Sequence, residues 1–329
     1  MGYEYTNANL KGKKRKLLKE NEFSNLVRAS DLPEIKDILS DTNYSKYLRD
    51  RTKFKEFDGA LNRYLIDVEY KLSEMVPEEI AEVFRAYMQR WDYKNYKRAI
   101  TLILKDKEIK KDKLIDAPTG DSIERIEEWT NVESERELKK GFSGTKFDLL
   151  SKILEESESR EDAIFKGRLA FEKLFQEKIL EAIEGKPEPV RQFFGTRIDF
   201  RNIKVIIRLK EEDLDRSEIL DLLLPTYQIQ EQKIKEMINK ENREDILREL
   251  DHSFYESLVK AEDLDAMDLI FEKSLKKYAK RLFLRDVLGP GVVIAYYCLK
   301  SLEVSNLKKI LAGKTADWSV EEISNFIVT

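Results

Sequence analysis

Two residue types that carry much of enzyme chemistry are almost missing from this chain. Its 329 residues include one cysteine, Cys298, and one histidine, His252. A single thiol excludes an internal disulfide and a cysteine-based metal cage. A lone imidazole leaves little for histidine catalysis or ligation. Cys298 sits in the apolar run Val292–Leu299 and is expected to be a buried, inert thiol. His252, beside Asp251 in a charged segment, is expected at a surface or partly buried helix position. Glycine and proline are scarce as well, 12 and 7 residues, which leaves little turn chemistry for hairpins. Long apolar runs are also lacking. Met1–Leu18 holds no leader-like stretch. The longest uncharged segment, Val287–Leu299, has 13 residues and is broken by Gly-Pro-Gly, short of the about 20 needed to span a bilayer.

Common catalytic signatures are absent too. The chain has no G-x-x-x-x-G-K-[ST], no G-x-G-x-x-G and no H-E-x-x-H. A Ser-His-Asp triad would have to use His252, and Asp251, its neighbour in sequence, cannot orient the ring as a triad acid does. No catalytic residue, cofactor, metal or small-molecule substrate is therefore expected, and the protein reads as a non-enzyme.

What is present is charge and helix-forming side chains. Charged residues make up 38% of the chain, against a usual figure of about 25%, and hydrophobic residues 41%. The two signs nearly balance, at a net charge of -4, so a dedicated nucleic-acid binder is not expected. One run departs from the balance. Lys11, Lys13, Lys14, Arg15, Lys16 and Lys19 follow one another without an acid. A solvated helix face is the preferred reading of this run and a phosphate-binding arm the alternative.

A landmark recurs three times, reading acid-x-x-Asn-apolar-Lys-x-apolar-apolar. The copies begin at Asp92, Asp199 and Glu303, 107 and 104 residues apart. Each contributes an acid, an amide and a lysine: Asp92, Asn95 and Lys97; Asp199, Asn202 and Lys204; Glu303, Asn306 and Lys308. Leu61, Phe165 and Phe271 each precede a leucine by four residues, at steps of 104 and 106, and Pro118 and Pro225 are 107 apart. Pro77, Pro187 and Pro290 each lead a helix start between these landmarks. Such a register implies three homologous units, 1–113, 114–223 and 224–329. Within the motif the apolar residues fall at +4, +7 and +8 from the acid, one face of an α-helix. Asp92 and Asp199 are then expected to be N-caps, with Glu303 a poorer one. The lysines are expected to flank the apolar face. Closing joints between helices is the role expected of these nine residues. Helix starts are also expected at Asp31 and, as a capping box, at Ser319. The fold class is all-α, with five or six helices in each unit.

Four segments carry a family resemblance. Tyr3-Glu4-Tyr5-Thr6-Asn7-Ala8-Asn9-Leu10 is similar to a Y-x-Y-x-N-A-R-(L/V) opening, and Trp91–Lys97 to R-Y-D-Y-H-N-L-K. Asp199–Lys210 is similar to D-x-x-N-(I/L)-K…R-x-K, and Leu288–Lys314 to a G-P-E-P-L-I-A-Y…N-L-(R/K)-x-I-L ending. On these segments the whole chain resembles the C subunit of archaeal and bacterial A/V-type ATP synthases, the counterpart of the d subunit of eukaryotic V-type ATPases. Gly291 and Val292, Lys94 and Asn9 depart from the family pattern, which bears on local loop geometry. The resemblance implies a funnel of three helical bundles with pseudo-threefold symmetry, placed in the central stalk on the cytoplasmic face of the membrane. It implies partners: the D and F proteins of the central shaft, and the membrane rotor ring of proteolipids. The implied work is to pass torque between shaft and ring, linking ATP synthesis or hydrolysis to proton or sodium transport, with no cofactor. The competing reading of the repeats is a helical scaffold that binds other proteins.

Overall fold

A computed structural model describes residues 2–117, 120, 122–131, 135–211, 219–220, 223–250 and 253–329, without the side chains of residues 55, 135 and 136. His252 and Pro118 lie outside the described residues. All regular structure among the described residues is helical, as the composition implies. The helices are α1 (Glu4–Lys14), α2 (Glu20–Arg28), α3 (Leu32–Ile38), α4 (Ser45–Leu48), α5 (Phe54–Met75), α6 (Glu78–Met88) and α7 (Arg90–Ile103). There follow α8 (Ser122–Thr130), α9 (Glu135–Phe142), α10 (Asp148–Glu156), α11 (Arg160–Ile183) and α12 (Glu188–Glu211). The last five are α13 (Glu231–Ile238), α14 (Arg243–Arg248), α15 (Leu264–Arg285), α16 (Gly291–Thr315) and α17 (Val320–Phe326). None of these is long and apolar enough to cross a membrane.

Helix boundaries follow local chemistry. The Asp31 carboxylate accepts from Glu34 N–H at 2.9 Å and starts α3. Ser159 and Asn242 cap α11 and α14 in the same way. Ser319 and Glu322 form the expected capping box of α17. Pro77, Pro187 and Pro290 each stand immediately before a helix, α6, α12 and α16, where the missing N–H costs nothing. The first of these helices is interrupted at Gln89, so that α6 and α7 together correspond to the uninterrupted α12 and α16.

Packing is dominated by α16. It buries residues on nearly every side, from Val292 to Gly313, and touches α1, α5, α12, α15 and α17. A helix buried all round belongs at the centre of a bundle. Cys298 is buried on it, as expected. Aromatic side chains join the three Pro-led helices. Phe84 of α6 lies edge-on to Phe194 of α12 at 6.0 Å and to Tyr297 of α16 at 5.4 Å. Phe193 meets Tyr297 at 5.6 Å. Edge-to-face geometry places positive ring edges on negative faces. A second, smaller core, including Tyr96, Trp129, Phe142, Phe147 and Phe171, fills the space among α7, α8, α9, α10 and α11.

Candidate functional site: three matching joints

The three motif acids do not act as the N-caps that the spacing predicts. Asp92 is the third residue of α7, whose N-cap is Gln89. Asp199 lies mid-way along α12 and Glu303 mid-way along α16. All three acids are buried. The apolar spacing that suggested a helix start continues upstream, so the helices begin about three turns earlier in the second and third copies.

Buried carboxylates must find donors, and these find them at the start of another segment. Asp199 accepts from the backbone N–H groups of Tyr227, Gln228 and Ile229 at 2.6, 2.8 and 3.3 Å, and from the Tyr255 hydroxyl at 2.8 Å. Burial raises its pKa, and these four donors pull it back. Glu303 accepts from Leu18 N–H at 2.6 Å, from the Tyr44 hydroxyl at 2.5 Å and from the Lys300 ammonium. Asp92 accepts from Ser122 N–H at 3.4 Å. Beside it Gly120 comes so close that a Cβ there would overlap the Asp92 carboxylate. Ser122 opens α8, Tyr227–Ile229 precede α13 and Leu18 precedes α2. Each motif acid therefore gathers the chain just ahead of, or at the start of, a short outer helix. In the third copy the chain held is near the N-terminus, 285 residues back.

The amides repeat one arrangement with little variation. Asn95 exchanges two hydrogen bonds with the peptide groups of Ile115, donating to its carbonyl at 2.8 Å and accepting from its N–H at 2.9 Å. Asn202 does so with Leu224, at 2.7 and 3.2 Å, and also donates to Pro225 O at 3.1 Å. Asn306 does so with Val328, at 2.8 and 2.9 Å. A carboxamide presents one acceptor and two donors in a plane, which suits it to replace a backbone partner for a single residue.

The lysines reach carboxylates on other helices instead of lying along the apolar face. Lys97 pairs with Glu172 of α11 at 2.6 Å, Lys204 with Asp268 of α15 at 2.6 Å and Lys308 with Asp58 of α5 at 2.9 Å. Glu172 also takes Arg201 at 3.1 Å. Burial works to raise the Glu172 pKa, but Arg201 and Lys97 outweigh it and hold the carboxyl below its usual range. The same opposition, with Lys308 prevailing, lowers Asp58.

Two further sets of contacts join the helices, the first of them repeated. Thr42 and Tyr44, Thr145 and Phe147, and Ser253 and Tyr255 form hydroxyl-x-aromatic turns, the aromatics 103 and 108 residues apart. In each, the hydroxyl donates to a carbonyl three residues back and accepts from the aromatic residue's N–H. Tyr44 and Tyr255 supply the phenol donors to Glu303 and Asp199. Burial, then the facing carboxylate, raises both phenol pKa values far above normal. The middle copy has Phe147 here, with no hydroxyl to give. A register search for [ST]-x-[YF] would have found these turns. The second set, around Glu69, has no repeat signal. Fully buried, Glu69 accepts from Trp91 Nε1 at 3.1 Å, from the Tyr297 hydroxyl at 2.5 Å and from Arg90. It ties α5 to α7 and α16.

The prolines are partly brought together. Pro187 and Pro290 line one cleft of about 590 Å³ with Tyr278, Arg281 and Asp286. α1 links the Pro290 turn to the third, at Pro77. Thr6 donates to Met75 O at 2.5 Å beside Pro77, and Asn7 donates to the carbonyls of Val287 and Gly289, both at 3.0 Å, beside Pro290. Among the described residues no group of His, Cys, Asp and Glu could hold a metal ion. The arrangement is a set of buried and half-buried polar contacts that fix helices to one another.

Comparison with known proteins gives a consistent result. The family model described as ATP synthase (C/AC39) subunit matches residues 6–326. The C subunit of the A-type ATP synthase of Methanocaldococcus jannaschii is 30% identical, over 99% of this chain and 86% of that protein. That of Methanothermobacter thermautotrophicus is 26% identical over 95% of this chain and 84% of that protein. That of Pyrococcus abyssi is 23% identical over 94% of this chain and 85% of that protein.

Proposed function

This chain belongs to the ATP synthase (C/AC39) subunit family, and on that premise we propose that it is the non-catalytic central-stalk component of an A/V-type enzyme. In this reading it sits peripherally on the cytoplasmic face of the membrane. It receives the shaft, built of the D and F proteins, and rests on the proteolipid ring. It transmits torque between them as ions cross and ATP is made or hydrolysed. Its three units, 1–113, 114–223 and 224–329, form a funnel with pseudo-threefold symmetry.

One observation supports this reading above the others. The acid, amide and lysine of each copy make the same kinds of contact in the same order. In the third copy those contacts run from the end of the chain to its beginning, Glu303 to Leu18 and Lys308 to Asp58. Helices of the third copy are thus bonded to those of the first, and repeats tied to one another in this way resist twisting better than an open stack. Buried, fully satisfied polar contacts add stiffness, because breaking any one leaves a group unpaired. Those are the mechanical properties that torque transmission needs.

The test is crosslinking in native membranes with peptide mapping. The expected result is crosslinks from this chain to the two shaft proteins and to the proteolipids. Recovery of the chain only as a free protein, with ATP hydrolysis still coupled to ion transport in its absence, would overturn the assignment.

A further inference from the structure

The basic side chains of the run Lys11–Lys19 take no part in the joints, although the Leu18 N–H within it is held by Glu303. The run occupies the end of α1 and the link to α2, with Lys11, Lys14, Arg15, Lys16 and Lys19 exposed. α1 packs on α16 and reaches the C-terminal end of α15. Asn7 holds the carbonyls just beyond that helix, and the Lys14 ammonium stands over the Phe283 ring, 4.2 Å from its centroid. Earlier turns of α15 add Lys276 and Lys280, and α5 adds the exposed Lys71. These cations crowd one another. Partial burial, then the charges of Lys71 and Lys16, lowers the Lys13 pKa, and burial, then Lys280, lowers that of Lys276. Acids stand at this end as well, Glu4 on the first turn of α1 and Glu79 close to Tyr3. Glu20 acts on Lys276, and Asp286 is taken up by the N–H groups of Gly289 and Gly291 at 3.0 and 2.7 Å.

Large apolar side chains stand in the open at the same end of the molecule. Leu284 is 80% exposed and Leu288 75%, on the last turn of α15 and the turn that follows. Tyr5, on the first turn of α1, is 75% exposed, and Val287 is exposed too. The chain as a whole is acidic, at -4, so the positive field here is local.

We propose that this face docks on an anionic phospholipid surface, its cations on the headgroups and Leu284, Leu288 and Tyr5 in the interfacial layer. Three features favour lipid over other anionic partners. Lysine dominates the cluster, whereas protein interfaces favour arginine and are poor in lysine. Flexible ammonium groups suit the diffuse charge of a headgroup layer. Finally, leucines that project from a basic rim gain by entering the membrane interface, and a phosphate backbone offers them nothing. The contact lies on the membrane and does not span it. It goes beyond the rotor assignment. Its test needs only the purified full chain, so its failure leaves that assignment untouched.

The experiment is co-sedimentation with vesicles of phosphatidylglycerol and phosphatidylcholine in equal parts, beside vesicles of phosphatidylcholine alone. Binding to the anionic vesicles, weakened by salt, is expected. At about fivefold per cation, Lys14→Gln with Lys16→Gln should weaken it roughly thirtyfold. Leu284→Ser with Leu288→Ser should weaken it about tenfold or more with no change of charge. Lys105→Gln with Lys107→Gln, exposed at a distant loop, should leave it within about twofold of the parent. Thermal unfolding of each variant checks that the fold is kept. Equal binding to both kinds of vesicle, no loss in the leucine variant, or an equal loss in the distant lysine variant would each overturn the proposal. Tighter binding to duplex DNA than to the anionic vesicles would overturn it as well and assign the surface to nucleic acid.

Discussion

Replacing Asn202 by alanine tests the joints where the consequence is best defined. The side chain is fully buried, and it serves Leu224 twice and Pro225 once. Truncation leaves the Leu224 N–H and two carbonyls without their partner. Leu224 is itself 3% exposed, so bulk water does not reach it directly. Each buried group left unsatisfied costs about 1–3 kcal/mol. With one donor certain to suffer and the carbonyls partly served by relaxation, the expected loss is about 2–5 kcal/mol. Chains of this size shift by about 2 °C per kcal/mol or slightly less, so the melting temperature should fall by about 4–10 °C. The location of the effect discriminates more sharply than its size. Hydrogen–deuterium exchange should accelerate in the segment 223–232, because the same segment carries the N–H groups that Asp199 holds. Asn202→Asp is the companion variant. It keeps the shape and the acceptor for Leu224 N–H but turns a second oxygen toward two carbonyls, and it should be no better than alanine. If exchange in 223–232 is unchanged and the melting temperature moves by less than about 1 °C, the amide is not holding this segment and the account of the joints fails.

Other outcomes follow from the same contacts. Glu69→Gln removes the charge that faces Arg90 and should destabilise the protein by about 3–5 kcal/mol, read by chemical denaturation; a loss below about 1 kcal/mol would mean that the cluster contributes little. Gly195→Ala places a Cβ 2.3 Å from the Tyr227 ring, so the ring must move, at about 1–3 kcal/mol, and a neutral result would show that it is free to do so. Glu172 has a lowered folded pKa, so its contribution is complete above the usual carboxylate range and is lost as pH falls through the folded value. The stability gap between the parent and Glu172→Gln should therefore be constant near neutrality and shrink on acidification, and a gap that widens in acid would reverse the assigned sign.

Much of this was legible in the chain itself, and the boundary can be drawn residue by residue. Asp31 and Ser319 were readable as helix starts because a cap acts within three residues of itself. Pro77, Pro187 and Pro290 were readable because proline tolerates few positions in a helix. The acids mislead for a related reason. An acid ahead of an apolar stripe has the pattern of a cap, and the stripe does not say whether the helix began earlier. For Asp199 and Glu303 it had begun at Glu188 and Gly291. The phenols of Tyr44 and Tyr255 carry a register signal, but one of only two fixed residue types at loop positions, too sparse to stand out unaided. Glu69 has no such signal. It is one acid among 64 until the fold brings Trp91 and Tyr297 to it.

By itself, then, the amino-acid sequence determined the helical class, the recurrence of one motif three times and the positions where several helices start. Each is written in the identity of neighbouring residues or in a period along the chain. The tertiary structure alone decided what each motif residue holds. Asp199 binds a segment 28–30 residues on, Lys204 a carboxylate 64 residues on and Glu303 an N–H 285 residues back. Periodicity reports that a face is buried and is silent about what covers it. A hydrogen bond across such separations exists only once loop closure has been offset by the packing of both elements.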